Sequence, residues 1–503
     1  MRRRIKSRTR GALEILGLGP AVLWAGCNIV AGLQPAYLIQ ADGGGGATTT
    51  SSSSTGSGGS GGGAPCVAGS GSGCHGALVW AKRFGDAGGQ HASAVAVDAS
   101  GDVIVAGKFG GTINFGGSDL IATAPAIFLV KLDPNGNHLW SKRFGAGLDT
   151  VGGLAVDAAG DIVLVGAFSG SVDFGGNNLV AMVAPGFVTT DVFVAKFHGD
   201  GSHVWSKQFG DAANQSAASV AVDAQHNLAV VGALAGTIDF GGGALVSAGL
   251  NDVFIAKLDA GGGHLWSGRA GDAADQAASG VSFDPSGNAV TVGSFLGTLD
   301  FTNQGLQGGA GQDVFVAQLG VSNTFKWSHQ AGNATNELAR GVAANAAGET
   351  VVVGEFAGSI GFGPTSFPSK GGKDVFVAKL GPSGDVLWQA GYGDASDQVA
   401  TAVAVDKMGV LVVGNFAGSV NFGGTDLASQ GGTDLFVVRF DGGGNHTWSK
   451  RFGDAQNQSA TAVAIDASGH TLVVGDFAGS INFGSGDLTS TGGTDIFIAK
   501  LGP

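Results

Sequence analysis

The chain has 503 residues, of which 94 are glycine; 44% are hydrophobic and only 13% are charged. This balance argues against a disordered protein, which combines low hydrophobicity with high net charge. The formal charge is −13, although the first 26 residues hold six basic groups and one acid. The acidic remainder therefore excludes nucleic acid and anionic lipid as electrostatically favoured partners.

Residues 1–26 have the pattern of an export signal. Six basic residues precede a short apolar stretch from Ile15 to Ala25, and Cys27 follows two small residues. This resembles a bacterial lipoprotein signal, which is cut before a cysteine that is then lipidated. The resemblance implies lipidation of Cys27, and Asn28 implies the outer membrane or the cell surface. An uncleaved anchor over residues 15–39 is the alternative, although glycine and proline interrupt that stretch.

Residues 27–76 are predicted to be a flexible tether. Gly, Ser and Thr dominate residues 41–76, and such a segment cannot bury enough apolar surface to fold. As a coil it would span roughly 33 Å and hold the folded part clear of a membrane. Lipidation of Cys27 would leave Cys66 and Cys74 as an even pair, so we expect a disulfide in an oxidising compartment. A metal site is the weaker interpretation, because His75 adds only one further ligand.

Residues 77–503 form one repeat array. Tryptophans recur at intervals of 60, 65, 61, 61, 61 and 60 residues, which is typical of propellers. They are Trp80, Trp140, Trp205, Trp266, Trp327, Trp388 and Trp448. Each repeat carries four short aliphatic runs bounded by Gly, Asn and Asp, and these runs predict strands. We expect an all-β fold, a seven-bladed propeller of four-stranded antiparallel blades.

The two ends of the array indicate a closed ring. It begins with a fourth strand at Ala77 and stops after a third strand at Leu501. The N-terminal strand is therefore predicted to complete the last blade, because an open solenoid would gain nothing from this offset and would need polar caps. Each tryptophan is predicted to pack within its own blade. The Asp before six third strands is predicted to anchor the preceding loop, and the Phe-Gly pair after the second strand is predicted to be structural.

The repeat resembles a known family. Its pattern, AVAVD…G…VVVG.F.G…DFG…D.FVAKLD..G…W, looks like the SBBP-type repeat of secreted and surface-anchored bacterial β-propellers, over residues 77–503. The resemblance implies the fold but no common reaction, so it carries over no catalytic residue. A looser likeness links the repeat to quinoprotein-type propellers, which have eight blades and bind pyrroloquinoline quinone or serve as outer-membrane assembly factors.

The loops that follow several fourth strands contain closely spaced side-chain oxygens. They read Gly-Asp-Ala-x-Asp/Asn-Gln, and two of them place Asp272 beside Asp275 and Asp394 beside Asp397. These four carboxylates are candidate Ca²⁺ ligands, because a hard cation prefers oxygen. The favoured alternative is that they bond to backbone N–H groups, as Asp commonly does in turns.

A binding site should break the sevenfold symmetry, and the fifth repeat does so. It contains all three glutamates beyond the signal, of which Glu337 replaces the loop Gln and Glu355 ends a second strand. The blades that follow carry polar residues at the position of Glu355, which predicts a polar arc in a closed ring. Drift among surface residues would give the same pattern. The candidate binding residues are Lys108, Glu337, Arg340, Glu355, Asn415 and Asp476.

These features favour a non-enzymatic scaffold at the cell envelope that binds protein or glycan, either without a cofactor or with bound Ca²⁺. The sequence contains no His-Glu-x-x-His, nucleophile elbow or phosphate-binding glycine loop. The enzyme alternatives are a polysaccharide lyase or hydrolase, or a quinoprotein-like dehydrogenase, using the region of Glu337, Glu355 and Asp476. An outer-membrane assembly scaffold is a further alternative.

Overall fold

The computed structural model describes residues 75–503, apart from residues 146, 148, 184, 185, 302–304 and 334. The predicted signal, the lipidation site Cys27 and the cysteine pair Cys66 and Cys74 lie outside the described residues. The described chain consists of strands, turns and loops. It contains no helix of the length and apolarity that a membrane crossing requires.

Seven four-stranded antiparallel sheets form the blades of a ring. The N-terminal strand is β1 (Leu78–Phe84). Blade 1 comprises β2 (Gln90–Val97), β3 (Val103–Ile113), β4 (Leu120–Leu132) and β5 (His138–Phe144). Blade 2 comprises β6 (Thr150–Val156), β7 (Ile162–Phe168), the short pair β8 (Ser171–Val172) and β9 (Leu179–Val180), β10 (Asp191–Phe197) and β11 (His203–Phe209). Blade 3 comprises β12 (Gln215–Val222), β13 (Leu228–Leu234), the short pair β14 (Thr237–Ile238) and β15 (Leu245–Val246), β16 (Asp252–Leu258) and β17 (His264–Ala270).

The remaining four blades repeat this arrangement. Blade 4 comprises β18 (Gln276–Phe283), β19 (Ala289–Phe295), β20 (Thr298–Leu299), β21 (Leu306–Gln307), β22 (Asp313–Leu319) and β23 (Phe325–Ala331). Blade 5 comprises β24 (Glu337–Ala344), β25 (Thr350–Phe356), β26 (Ser359–Ile360), β27 (Phe367–Pro368), β28 (Asp374–Leu380) and β29 (Val386–Tyr392). Blade 6 comprises β30 (Gln398–Asp406), β31 (Gly409–Phe416), β32 (Ser419–Val420), β33 (Leu427–Ala428), β34 (Asp434–Phe440) and β35 (His446–Phe452). Blade 7 comprises β36 (Gln458–Ile465), β37 (Thr471–Phe477), β38 (Ser480–Asn482), β39 (Asp487–Thr489) and β40 (Asp495–Leu501), and β1 completes it.

The ring closes through the N-terminal strand, as predicted. β1 pairs antiparallel with β40, with Ala81 opposite Ala499. The first strand of blade 1 packs against both blade 2 and blade 7. The seven-bladed, four-stranded prediction is therefore confirmed. The short two-stranded hairpin between the second and third strands, such as β32 and β33, lies inside what the sequence predicts as a loop.

Phenylalanine and aliphatic side chains fill the space between adjacent blades. The ring of Phe174, which follows the second strand of blade 2, lies 4.8 Å from that of Phe193 and 5.1 Å from that of Phe144 in blade 1. Burying one such side chain contributes about 1.5–3 kcal/mol. The repeated Phe-Gly pair is therefore structural, as predicted. The glycine inside each second strand is required for a close approach, because a Cβ on Gly232 would overlap the ring of Phe254.

The repeated tryptophans connect neighbouring blades, which corrects the prediction that each packs within its own. Trp140 of blade 1 donates its indole N–H to the carbonyl oxygen of Gly199 in blade 2, at 3.1 Å. Five more do the same across their own junctions: Trp80, Trp205, Trp266, Trp327 and Trp388. The fourth strand is the outermost of its blade, so its indole extends over the turn of the next blade. Such contacts make adjacent blades cooperative.

Candidate functional site

Two sets of loops meet at one face of the ring, hereafter the loop face. The loop after each fourth strand bonds to the start of the hairpin that follows the second strand of the next blade. Asp211, for example, accepts a hydrogen bond from the backbone N–H of Thr237 at 2.8 Å. Loops at such a face tolerate variation and commonly carry function. The candidate residues from the sequence all lie in or beside these loops.

The first pair of Ca²⁺ candidates is engaged by N–H donors. Asp272 Oδ1 accepts from the backbone N–H of Ala274 at 2.9 Å, and Oδ2 accepts from that of Thr298 at 2.7 Å. The bond from Ala274 is the largest cause of the lowered pKa of Asp272. Asp275 Oδ1 accepts from the side-chain amide of Asn251 at 2.8 Å. These bonds tie the hairpin of one blade and the third strand of another to a single loop.

The second pair repeats the arrangement. Asp394 accepts from the backbone N–H groups of Ser396 and Ser419, at 2.8 and 2.7 Å. Burial alone would raise the pKa of Asp394, but these bonds outweigh burial and lower it. Asp397 accepts from the backbone N–H of Lys373 at 2.9 Å. Across the described residues no three His, Cys, Asp or Glu side chains group closely enough to hold a metal ion. These bonds agree with the favoured alternative, in which the carboxylates bond to backbone N–H groups, and calcium binding stays the less favoured of the two predictions.

A buried aspartate at the start of the third strand anchors the loop before it, as predicted. Asp252 Oδ2 accepts from the backbone N–H of Ala248 at 2.7 Å and from the guanidinium of Arg269. Its other oxygen, Oδ1, has no hydrogen-bond partner and lies against the Cα of Gly271. Asp191, Asp313, Asp374, Asp434 and Asp495 leave the same oxygen unpaired.

Two members of the predicted polar arc, Asn415 and Asp476, bond across blade junctions. Asn415 of blade 6 donates to Ser459 Oγ at 3.0 Å and accepts from the backbone N–H of Ala460 at 2.8 Å, both in blade 7. Asp476 of blade 7 pairs with the ring of His91 and accepts a hydrogen bond from the backbone N–H of Ala92 at 2.8 Å, both in blade 1. These two side chains therefore connect blades 6, 7 and 1.

Glu355 is the member that gathers charge around it. It is 1% exposed and accepts from Arg340 Nη2 at 3.0 Å and from Lys373 Nζ at 2.9 Å. The structure thus brings together Glu355 and Arg340 of the candidate set. Lys108 is exposed at the equivalent position of blade 1.

Glu337 is separate from that ion-pair group and is fully buried. Its neighbours are neutral donors, with the backbone N–H of Asn333 at 3.2 Å and the hydroxyl of Thr335. Burial raises the pKa of Glu337 to about 7, and the negative charge of Asp313 adds to that increase. Glu337 is therefore the member of the candidate set with the most perturbed acidity.

The largest departure from sevenfold symmetry is an apolar loop that the candidate set missed. In blade 2, residues 181–190 join β9 to the third strand, and we name them the blade 2 loop. Its base is anchored, because Met182 N–H donates to Asp191 Oδ2 and Thr189 Oγ donates to Met182 O, each at 3.0 Å. From that base Met182, Val183, Phe187 and Val188 project into solvent, with exposed fractions between 49 and 71%.

The flanking blades extend this apolar character. Ile121 in blade 1 and Val246 in blade 3 occupy the position of Val180 in blade 2, and all three are exposed. Leu250 is exposed where blades 4–7 carry glycine in the same turn. The sequence did contain a signal for the blade 2 loop. The interval of 65 residues before the third tryptophan is the longest, and residues 179–190 include no charged side chain.

No known protein-family model matches the chain. It is 30% identical over 142 residues to the regulatory protein FlaEY of Caulobacter vibrioides, covering 27% of this chain and 14% of that protein. It is 21% identical over 508 residues to a WD repeat-containing protein of Acanthamoeba polyphaga mimivirus, covering 81% of this chain and 36% of that one. The chain therefore matches only a minor part of the length of either relative.

Solved propeller structures are also similar. The WD40 domain of Neurospora crassa Pan2 aligns with a TM-score of 0.42 and 9% identity, over 85% of this chain and 98% of that one. Sqt1 of Chaetomium thermophilum aligns with a TM-score of 0.41 and 10% identity, over 86% and 100%. The sheet topology of this chain makes its fold a seven-bladed β-propeller with four-stranded blades.

Proposed function

We propose that the chain is a non-enzymatic scaffold at the cell envelope that binds a protein partner through the blade 2 loop. The observation that carries the proposal is the apolar tip of an anchored loop, which is the longest connection of its kind among the blades. Aromatic residues and Met are enriched at the cores of protein interfaces, and a few side chains buried there carry most of the binding energy. An anchored base also reduces the entropy lost when the loop is held by a partner.

The chemistry of the loop favours a protein over a glycan or a bilayer. Glycan recognition needs polar donors and acceptors, whereas the exposed side chains of the loop are Met, Val and Phe. Membrane-surface binding is usually supported by Lys or Arg beside the apolar residues. Residues 169–190 contain Asp173 and no basic residue. Because the loop projects from the ring, its complement is a partner with an apolar groove.

The envelope location is supported by the sequence alone. The signal-like residues 1–26, the cysteine at Cys27 and the resemblance to SBBP-type surface proteins point in the same direction. Intact-mass measurement of the N-terminal peptide tests this part. We expect a peptide that begins at Cys27 with an added diacylglycerol and acyl chain. An unmodified Met1 terminus would refute the anchor and leave the partner proposal untouched.

Site-specific photo-crosslinking tests the partner. The full chain carries benzoylphenylalanine in place of Phe187 and is irradiated in intact cells. The matched control carries it at Leu387, which is 44% exposed on a fourth strand where most blades have an apolar residue. We expect a discrete protein adduct from position 187 and none from position 387. Adding Val183→Ser and Val188→Ser should abolish the adduct while leaving the thermal unfolding temperature unchanged.

Each other outcome contradicts the proposal in a definable way. A lipid adduct from position 187 would indicate a membrane-docking loop. An adduct with a second copy of the chain would indicate self-association. Equal adducts from both positions, or no adduct at all, would mean that the blade 2 loop is not a recognition surface.

A further inference from the structure

The junction between blades 4 and 5 contains two buried carboxyl groups where five other junctions contain one buried carboxyl group and one buried amide. At five junctions a loop Asp accepts a hydrogen bond from a Gln that begins the next first strand; the glutamines are Gln90, Gln215, Gln276, Gln398 and Gln458. At the junction of blades 4 and 5 these two types are exchanged, with Asn333 in the half-buried position and Glu337 in the fully buried one. The exchange moves a carboxyl group from a half-buried position into the interior.

Glu337 and Asp313 point at the same place. A Cβ built on Gly332 would overlap both Asp313 Oδ1 and Glu337 Oε2, the latter at 2.6 Å, so the two carboxyl groups lie against the same glycine. Asp313 Oδ2 accepts from the backbone N–H of Gly309 at 2.7 Å and from Gln330 Nε2 at 2.9 Å. Asp313 Oδ1 has no hydrogen-bond partner, although the residue is only 1% exposed. A buried acceptor is thus left beside a second buried carboxyl group.

No cation pairs with either group in the described structure. In blades 3, 6 and 7 an arginine from the fourth strand reaches the buried aspartate, but Gln330 occupies that position in blade 4. The nearby cations Arg340 and Lys373 both bond to Glu355. The remaining groups around the pair, Asn333, Thr335 and the opposite strand residue Phe356, carry no charge. Two ionised carboxylates here would be like charges in a low-dielectric site, which is strongly unfavourable.

We propose that Glu337 and Asp313 hold one proton between them, forming a proton-binding site that keeps the loop face closed at the junction of blades 4 and 5. The shared proton gives Asp313 Oδ1 the donor it otherwise lacks. Loss of the proton places two negative charges together and drives Glu337 and the described loop residues before it (332, 333, 335 and 336) away from blade 4. The backbone bond from Glu337 N–H to Gln312 O, at 2.8 Å, lies at this contact, so residues 308–313 are released as well. The junction therefore opens as the pH rises.

The raised pKa of Glu337 gives the pH at which the junction is expected to begin opening. Because burial and the charge of Asp313 raise its pKa to about 7, opening begins near neutral pH. Above that midpoint the open population rises by up to about tenfold per pH unit. The site would thus respond across the range in which an exported protein meets changing pH.

Hydrogen–deuterium exchange of the full chain between pH 5.5 and 8.5 tests the proposal, after correction for intrinsic exchange. We expect protection of residues 308–313 and 331–337 to fall above pH 7 in the natural chain. Glu337→Gln restores the residue found at the other junctions and should keep both segments protected throughout. The infrared band of a protonated carboxyl group present at pH 6 should be lost in the same variant. Identical pH profiles in the two proteins would overturn the proposal.

A transplanted pair provides the second arm, so that the test does not depend on one variant folding. Asp191 in blade 2 is buried and has no arginine partner, because Gln208 stands at that position. Asp211→Asn with Gln215→Glu should place a second carboxyl group beside it and create new pH-dependent exchange in residues 210–215. If the transplanted pair shows no such dependence, two carboxyl groups are insufficient and the proposal fails.

Discussion

The buried lysine of blade 3 gives the sharpest stability prediction. Lys257 is 3% exposed; its Nζ lies 2.9 Å from Asp223 Oδ2 and donates to the carbonyl oxygen of Gly287 in blade 4 at 3.3 Å. Lys257→Met keeps most of the volume but leaves the Asp223 carboxylate buried without its cation. Breaking a buried pair from one side costs about 3–5 kcal/mol. We expect a loss of that size in the free energy of unfolding at pH 7.

Blade 4 supplies a natural control for this substitution. There Gln318 replaces the lysine and donates to Asp284 Oδ2 at 3.1 Å. Lys257→Gln should therefore preserve a donor to Asp223 and lose only about 1–2 kcal/mol. Urea denaturation followed by tryptophan fluorescence measures both losses, provided that the slope of the transition is unchanged. A larger or equal loss in Lys257→Gln would refute the reasoning.

The pH dependence of the loss provides an independent check. Burial would raise the pKa of Asp223, but the bonds from Lys257 and Asn227 outweigh burial and hold it below its ordinary value. The natural pair therefore stabilises the protein above the pKa of the unfolded chain, about 4. Without Lys257, burial dominates and the folded-state pKa rises above that value. The loss in Lys257→Met should shrink as the pH falls from 7 toward 4, and a loss independent of pH would contradict the mechanism.

Three further predictions follow from individual loops. Gly210→Ala should destabilise the protein by several kcal/mol, because Gly210 has φ of +156° and a Cβ there would meet Asp191 Oδ1 at 2.6 Å. The control is Gly160→Ala, which should cost only about 1 kcal/mol, because Gly160 has φ of +84° and a Cβ there would have nothing within 4 Å. Thermal unfolding compares the two variants. Burial raises the pKa of Asp191 to about 6, so the protein should lose stability as the pH rises from 4 to 6. Gln208→Arg should pair with Asp191, lower its pKa and remove that loss. An unchanged profile of stability against pH over this range would contradict the pairing. Calcium should leave the unfolding temperature unchanged, because Asp272 and Asp394 already accept hydrogen bonds from backbone N–H groups. A rise in unfolding temperature with calcium that Asp272→Asn abolishes would show that these loops rearrange to bind the ion.

The candidate site was only partly predictable from its residues. The fifth repeat was identified correctly as unusual, because three glutamates in one of seven near-identical copies can be counted without a structure. The contacts that those residues make could not be predicted from the sequence. Glu355 pairs with Lys373, which lies just before the third strand of the same blade, and Asp476 pairs with His91, which is 385 residues away in sequence. Both pairings arise from sheet register and ring closure, which join residues far apart in sequence.

The sequence by itself determined the architecture of this protein. A period near 61 residues, four strand patterns per period and an offset of one strand at the ends are local features, and together they are satisfied by a closed ring of seven blades. Only the tertiary structure decided which side chains are free to bind. It engaged Asn415 and Asp476 in blade junctions, buried Glu337 beside Asp313, and left Phe187 in solvent. The physical reason is that exposure and pairing depend on the neighbouring blade, and the seven repeats look alike until they are packed against one another.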